Sequence, residues 1–290
     1  MNYNIRPCSE EDTTYIWEKE SEAFHALLPS ADYAEPEQLV FKLCDADGDI
    51  IGGCVLGIDL LKTAELERLW VDDRYRRRGI ASALICTAEL AAKKNGCRII
   101  LNAYCFDFQA AKPLFEKLGY HCIGTIHNWP KGHECYTLFK RLDHTSADSL
   151  STEAVNASFA IEAGSEADGA FITERLEAFN NSFVSRSHSY LDLDKKITDE
   201  SGRVIAGCIA GVSGWDAAYL DAIWVDDSFC DRDLDAALLA VVEQEARENG
   251  AYIVFATVAE PQAALFLRQG YTTNVVYEGK PKFCTMQKLI

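Results

Sequence analysis

The chain repeats itself once. Gly48 and Gly202, Gly53 and Gly207, Cys54 and Cys208, Trp70 and Trp224, Asn95 and Asn249, and Gly96 and Gly250 all stand 154 positions apart. Upstream, Glu22-Ala23-Phe24 matches Glu177-Ala178-Phe179 at a spacing of 155, and Ile5 and Ser9 match Ile161 and Ser165 at 156. Downstream, Leu118-Gly119-Tyr120 matches Gln269-Gly270-Tyr271 at 151. Drifts this small are loop insertions and deletions. A period this long is too long for a solenoid unit and suits a whole domain. The spacing predicts one domain over 1–143, a second over 157–290, and a polar, aperiodic linker over 144–156.

Each repeat has the same coarse layout. A short strand (3–6 or 159–162) leads to Ser9-x-x-Asp12 or Ser165-x-x-Asp168, a capping-box pattern that starts a helix. A hairpin follows, turning at Asp47-Gly48 or Ser201-Gly202. Next come a strand (AELERLWV or AAYLDAIWV) and a helix with Ile80, Leu84, Ala88 and Ala91 on one face. After Asn95-Gly96 or Asn249-Gly250 a buried strand and a second helix follow, the helix ending at Gly119 or Gly270. The expectation is an α/β fold of two tandem domains, each a mixed, largely antiparallel sheet flanked by helices.

Charge excludes some partners. The formal net charge is −17, whereas a nucleic-acid surface requires a basic face. An acidic surface steers cationic molecules instead. No apolar run is long enough to span a bilayer, and the N-terminus lacks a signal-peptide pattern. A cytoplasmic protein without membrane partners is expected. The eleven cysteines are odd in number and include no C-x-x-C pair, so neither a disulfide framework nor a cysteine zinc site is expected. His133, Glu134 and Cys135 are poorly spaced for a metal, and none is expected.

Against this acidity, one turn is basic. Trp70 to Ile85 reads WVDDRYRRRGIASALI, with Arg74, Arg76, Arg77 and Arg78 directly before Gly79 and an apolar helix. A strand, a turn, a glycine and a helix start together make an anion site. The first helical N–H groups lack partners, and the helix dipole adds positive charge there. Gly79 has no Cβ, so a phosphate can approach the backbone. The turn lacks the G-K-[ST] ending of a P-loop and the three glycines of a dinucleotide fingerprint.

The pattern Arg76-x-x-Gly79-x-Ala81 after LERLWVDD resembles that of the GNAT superfamily of N-acetyltransferases. Phe115-Glu116-Lys117-Leu118-Gly119-Tyr120, Phe108-Gln109-Ala110 and Pro130-x-Gly132-His133 extend the resemblance across the first repeat. The resemblance implies acetyl-coenzyme A as cosubstrate. It implies contact with Leu69, Trp70 and Val71 on the strand, with Arg76, Arg77, Arg78, Gly79, Ile80, Ala81 and Ser82 at the turn, and with Gln109 and Phe115. It implies direct attack of an amine on the thioester, with a strand N–H near Leu69 to Val71 stabilising the oxyanion. An alkylamine is mostly protonated at neutral pH and needs a base. Glu67 and Glu65 are candidates, on one face of their strand if that strand is regular. Many members carry Tyr where Phe115 stands, so Tyr136, Tyr104 or Tyr120 would have to serve as acid, or none does.

The second repeat reads WVDDSFCDRDLDAALL at the same place. Arg76 becomes Cys230, Arg77 becomes Asp231, Gly79 becomes Asp233 and Ala81 becomes Asp235. Three carboxylates crowd the expected anion site, so this repeat is expected to be degenerate. The chain is therefore read as an acyl-CoA-dependent N-acetyltransferase, active through its first repeat, acting on a primary amine of a small cationic molecule. The alternative is a non-catalytic acetyl-CoA-binding sensor or regulator. A monomer and a homodimer are equally compatible with the sequence.

Overall fold

The computed structural model describes residues 4–27, 36–143, 160–277 and 282–290. The expected linker, 144–156, lies outside them. The first repeat supplies β1 (Ile5–Pro7), α1 (Glu10–Leu27), β2 (Glu37–Cys44), β3 (Ile50–Ile58), β4 (Ala64–Val71), α2 (Ile80–Lys94), β5 (Ile99–Phe106), α3 (Lys112–Lys117), β6 (His121–His127) and β7 (Glu134–Arg141). The second supplies β8 (Ile161–Ala163), α4 (Glu166–Asn181), β9 (Leu191–Asp192), β10 (Lys195–Thr198), β11 (Val204–Ser213), β12 (Ala217–Val225), α5 (Leu234–Glu248), β13 (Ile253–Ala259), α6 (Glu260–Arg268), β14 (Thr272–Tyr277) and β15 (Phe283–Leu289). The α/β class and the two mixed sheets are as the sequence predicts.

The compact units are not contiguous in sequence. The first unit comprises Ala31–Asn128 and Gly132–Val184; the second comprises Met1–Ser30, Trp129–Lys131 and Ser185–Ile290. The boundaries expected from the repeat, 1–143 and 157–290, therefore do not outline them. Each repeat's opening strand and helix belong to the unit built on the other repeat's sheet.

In the first unit the strand order is β6-β7-β5-β4-β3-β2-β8. Among the described residues only β4 and β5 run parallel; β8 adds antiparallel to β2, with Phe41 opposite Ala163. The helix α4 packs on β2, β3 and β4. Its Ile172 is fully buried. A Cβ on Gly53 would lie 2.3 Å from Ile172 Cδ1, so a glycine in β3 is what lets the helix seat. Lys42 pairs with Asp168 at 3.0 Å, and Asp168 also caps its own helix through Ser165. On the opposite face α2 buries Ile80, Leu84, Ile85, Ala88 and Ala92 against the sheet.

The second unit repeats these devices. The order is β1-β10-β11-β12-β13-β15-β14, with β9 beside β11. Here β1 pairs with β10, Ile5 opposite Ile197, and α1 packs on β11 and β12. Gly207 makes room for fully buried Ile16 as Gly53 does for Ile172. Lys196 pairs with Asp12. A buried ion pair also recurs. Lys140 donates to both carboxylate oxygens of Glu89 at 2.7 Å, and Lys288 pairs with Glu243.

Candidate active site

The site of the first unit starts with a fork. The parallel pairing of β4 and β5 runs from Ala64↔Ile100 to Glu65↔Leu101 and stops. Asn102 ties the fork, donating its Nδ2 to Leu66 O at 3.0 Å. On the other side of β4 the register slips. Val55 faces Arg68 but Leu56 faces Leu66, which leaves Glu67 as the extra residue of a β-bulge. A bulge re-aims its side chains, so the regular strand assumed for Glu65 and Glu67 is not what forms. Gly57 leaves the space that Glu67 uses. A Cβ there would lie 2.2 Å from Glu67 Oε1. Gln38 Nε2 donates to Glu67 Oε2 at 2.9 Å and holds the carboxylate in place.

Beyond β4 the basic turn is built mainly of arginines bonded to their own loop. Asp72 caps a short 3-10 turn over Asp73–Tyr75, and Arg74 binds both of its carboxylate oxygens at 3.0 Å. Arg76 donates to Val71 O at 3.1 Å, pairs with Asp73 at 2.8 Å, and lies 4.5 Å over the Phe179 ring. Arg78 donates to Arg74 O at 3.1 Å and stacks on Tyr75. These three side chains shape the turn. Arg77 has φ +63° and Gly79 φ +89°, the left-handed conformations that swing the chain into α2. No side chain caps α2, and no acidic residue lies in its first turn. Its opening amides are thus available to an anion.

Fork, turn and helix start enclose a cavity of about 790 Å³. Every residue assigned to cofactor contact from the resemblance lines it except Arg78. Glu67 lines it too, as do Asn102, Tyr104, Leu176 and Phe179. The sequence did not single out Asn102, Leu176 or Phe179 as site residues. In the sequence Phe179 stands out only as the repeat partner of Phe24, and nothing in that match shows that it faces Arg76. Phe115 lines the cavity but is 2% exposed and offers no hydroxyl, while Tyr104 is half exposed there. Tyr136 is not among the lining residues; its ring lies on β7 beneath the Lys112 ammonium, at 5.1 Å. Glu65 is not among them either. Burial first, and the charge of Glu67 second, push its carboxyl up to about 7.

A second cavity, of about 390 Å³, shares Glu67 with the first. Its walls carry Glu166, Glu174 and Glu177 of α4 and a single cation, Arg68. Glu67 thus stands between a cleft that ends in a helix N-terminus and a cavity with acidic walls.

The second unit has the same turn with other chemistry. Asp233 takes the left-handed position of Gly79 at φ +52°. Asp235 accepts a bond from the Ala236 N–H at 2.7 Å, so a carboxylate already occupies the start of α5. Cys230 lies against Val225 O, where Arg76 meets Val71 O. Over Gly211, the twin of Gly57, sits the ring of Tyr190 in place of a carboxylate. Among the described residues no group of three or more His, Cys, Asp or Glu is placed to hold a metal ion. No helix among them is long and apolar enough to cross a membrane.

Comparison with known proteins agrees on both repeats. A family model described as "Acetyltransferase (GNAT) family" matches residues 4–120 and 161–271. A blasticidin-S acetyltransferase of Streptomyces morookaense is 33% identical over 100 residues, covering 34% of this chain and 71% of that protein. An uncharacterized N-acetyltransferase of Methanocaldococcus jannaschii is 30% identical over 95 residues, covering 31% of this chain and 42% of that one. Among solved structures, an acetyltransferase of Bacillus cereus is 29% identical with a TM-score of 0.44, covering 48% of this chain and 96% of its own.

Proposed function

Since the chain belongs to the GNAT acetyltransferase family, with two copies of the family's domain, we propose that its first unit transfers the acetyl group of acetyl-coenzyme A to a primary amine, and that its second unit does not bind the cosubstrate in this way. The observation that carries this reading is the contrast at the helix starts. The α2 amides open on a 790 Å³ cleft with no carboxylate before them, whereas α5 begins with Asp233 and Asp235. A pyrophosphate is stabilised at the first and repelled at the second.

In the first unit the pyrophosphate lies at Gly79 to Ser82, and the acyl arm runs toward the fork between β4 and β5. Glu67 is placed to accept a proton from the acceptor ammonium, directly or through one water. The neutral amine attacks the thioester carbonyl, and the β4 amides receive the developing oxyanion. The carbon–sulfur bond breaks, the nitrogen passes its second proton to the departing sulfur or to water, and the amide forms; a thiol of pKa about 8.5 departs without an obligatory acid. This suits a cleft in which Phe115 brings no hydroxyl. The acidic second cavity supports a cationic acceptor, which Glu166, Glu174 and Glu177 attract. Similarity to a protein named blasticidin-S acetyltransferase supports a small molecule as that acceptor.

The test is release of free thiol from acetyl-coenzyme A across a panel of mono-, di- and polyamines. Thiol release with cationic amines, abolished in Glu67→Gln, supports the reading. Tight coenzyme binding without thiol release on any amine would favour the sensor, for which buried Phe115 is the argument.

A further inference from the structure

Both lips of the cofactor cleft are fastened to one helix end that comes from the other repeat. The first lip is the basic turn, whose Arg76 guanidinium lies 4.5 Å over the Phe179 ring. The second lip is the loop between β5 and α3. Its Gln109 accepts from the Phe106 N–H at 3.1 Å and donates Nε2 to Asn180 Oδ1 at 3.0 Å. Its Phe108 stacks on Phe183 with ring centroids 5.1 Å apart and an interplanar angle of 14°. Phe179, Asn180 and Phe183 are consecutive contacts at the end of α4. Asn180 is 7% exposed, and Gln109, Arg76 and Phe179 all line the cleft.

From this we infer that the end of α4 is a clasp that sets the width of the cleft, with Phe179 and Asn180 as positioning residues for the cosubstrate. The physical argument is one of preorganisation. Arg76 is bonded on one side to Val71 O and Asp73; the aromatic face fixes its remaining side and with it the turn that leads to Gly79. A guanidinium over an aromatic ring is held by the ring's quadrupole without the loss of its other bonds. Gln109 has both ends of its amide engaged, so it cannot rotate without leaving the Phe106 N–H or Asn180 unpaired. A cleft held in its bound width binds more tightly because less ordering remains to be done. The second repeat, whose own turn ends in Asp233, thereby serves the first repeat's site. In the second unit Gln262 takes the place of Gln109 and bonds Glu20 of α1, but the contact of Arg76 with a ring has no twin among the described residues. There Cys230 replaces Arg76, and Phe24, the twin of Phe179, packs on Phe283 at 5.7 Å.

The inference rests on the cofactor reading above, and the experiment separates the two. Coenzyme A binding is measured by calorimetry on the full chain, together with acetyl-coenzyme A KM, kcat and thermal unfolding. Phe179→Leu is expected to raise the coenzyme A Kd and the acetyl-coenzyme A KM about fivefold to tenfold, the scale of one cation–π contact. Its kcat is expected to stay within about twofold, because Phe179 does not touch the reacting atoms. Phe179→Tyr keeps the ring and is expected to restore Kd and KM. Phe24→Leu, the same change on the twin helix, is expected to leave both unchanged. Asn180→Ala is expected to act in the direction of Phe179→Leu. An unchanged Kd in Phe179→Leu, or an equal rise in Phe24→Leu, would overturn the clasp while leaving the cofactor reading intact. No binding by the unaltered chain would overturn both.

Discussion

Replacing Gly79 by Asp gives the first repeat the residue that the second already carries. The fold tolerates it, since Asp233 occupies the equivalent position at φ +52°. A residue with a Cβ in the left-handed region costs about 1–2 kcal/mol, and Asn and Asp bear it best. Gly79→Asn is the proper reference, being isosteric and neutral. The difference between Asp and Asn is then one charge. At a separation of about 5 Å, one carboxylate and the two charges of a pyrophosphate repel by about 1.7 kcal/mol in fully screening water and by about 7 kcal/mol at an effective dielectric of about 20. The lower figure already means about 17-fold. Coenzyme A is therefore expected to bind Gly79→Asp at least about 15-fold more weakly than Gly79→Asn, with the gap closing as salt rises. Calorimetry in low and high salt reads this directly. Equal affinity of the two variants, or a gap indifferent to salt, would refute the claim that the charge at this turn separates the two repeats.

Other expectations follow from the same geometry. Gly57→Ala drives a Cβ into Glu67 Oε1 and should lower kcat about 100-fold, the lower range for loss of a general base, with little change in acetyl-coenzyme A KM; Gly211→Ala meets Tyr190 instead and should leave kcat alone in the same assay. Glu65 is raised from 4.5 to about 7, first by burial. A carboxyl raised on folding contributes stability in full below 4.5 and loses it as pH passes through 7. Glu65→Gln should thus match the unaltered chain in denaturant titrations at pH 4 and gain on it steadily toward pH 8. Lys140→Met leaves Glu89 buried without its partner and should cost about 3–5 kcal/mol, most of it recovered in Glu89→Leu with Lys140→Met, as chemical denaturation would show. Truncation after Asp143 removes β8 and α4 from the first unit. The truncated chain keeps β1 and α1, which carry the matching isoleucine and aspartate, but lacks Asn180; it should bind coenzyme A more weakly than the full chain in calorimetry, and equal binding would show that Gln109 needs no partner from α4.

The strands, helices and caps were legible because each has a local cause. Ser165 and Asp168 close their capping box as written, Gly119 takes the positive φ of a residue that ends a helix, and Ile80, Leu84 and Ala88 share the buried face of α2. The cleft was legible in its backbone but less so in its side chains. A row of arginines reads as charge for a ligand, yet Asp72, Asp73, Val71 O and Tyr75 engage three of the four. Their partners sit within a few residues, where spacing alone does not tell a local bond from a free donor. Glu67 was found, but not its bulge, because a one-residue slip between β3 and β4 leaves no mark on the alternation of side chains.

The exchange of opening elements was invisible for a different reason, and the reason is the repeat itself. Gly53 accepts an isoleucine from a helix, and so does Gly207. Lys42 asks for an aspartate at a helix start, and so does Lys196. Ile16 with Asp12 and Ile172 with Asp168 satisfy either demand equally well. Two repeats with the same interface chemistry have two ways to pair, and local propensity, burial pattern and capping are blind to which is taken. The discriminating residues lie where the repeats have diverged. Either opening helix offers Arg76 a ring, Phe179 or Phe24, but Gln109 finds Asn180, whereas the twin of Asn180 in α1 is His25. The loop after β5 and the end of the opening helix are thus matched across the exchange. A second repeat whose own helix start carries Asp233 and Asp235 still has a physical reason to keep the end of α4 as it is.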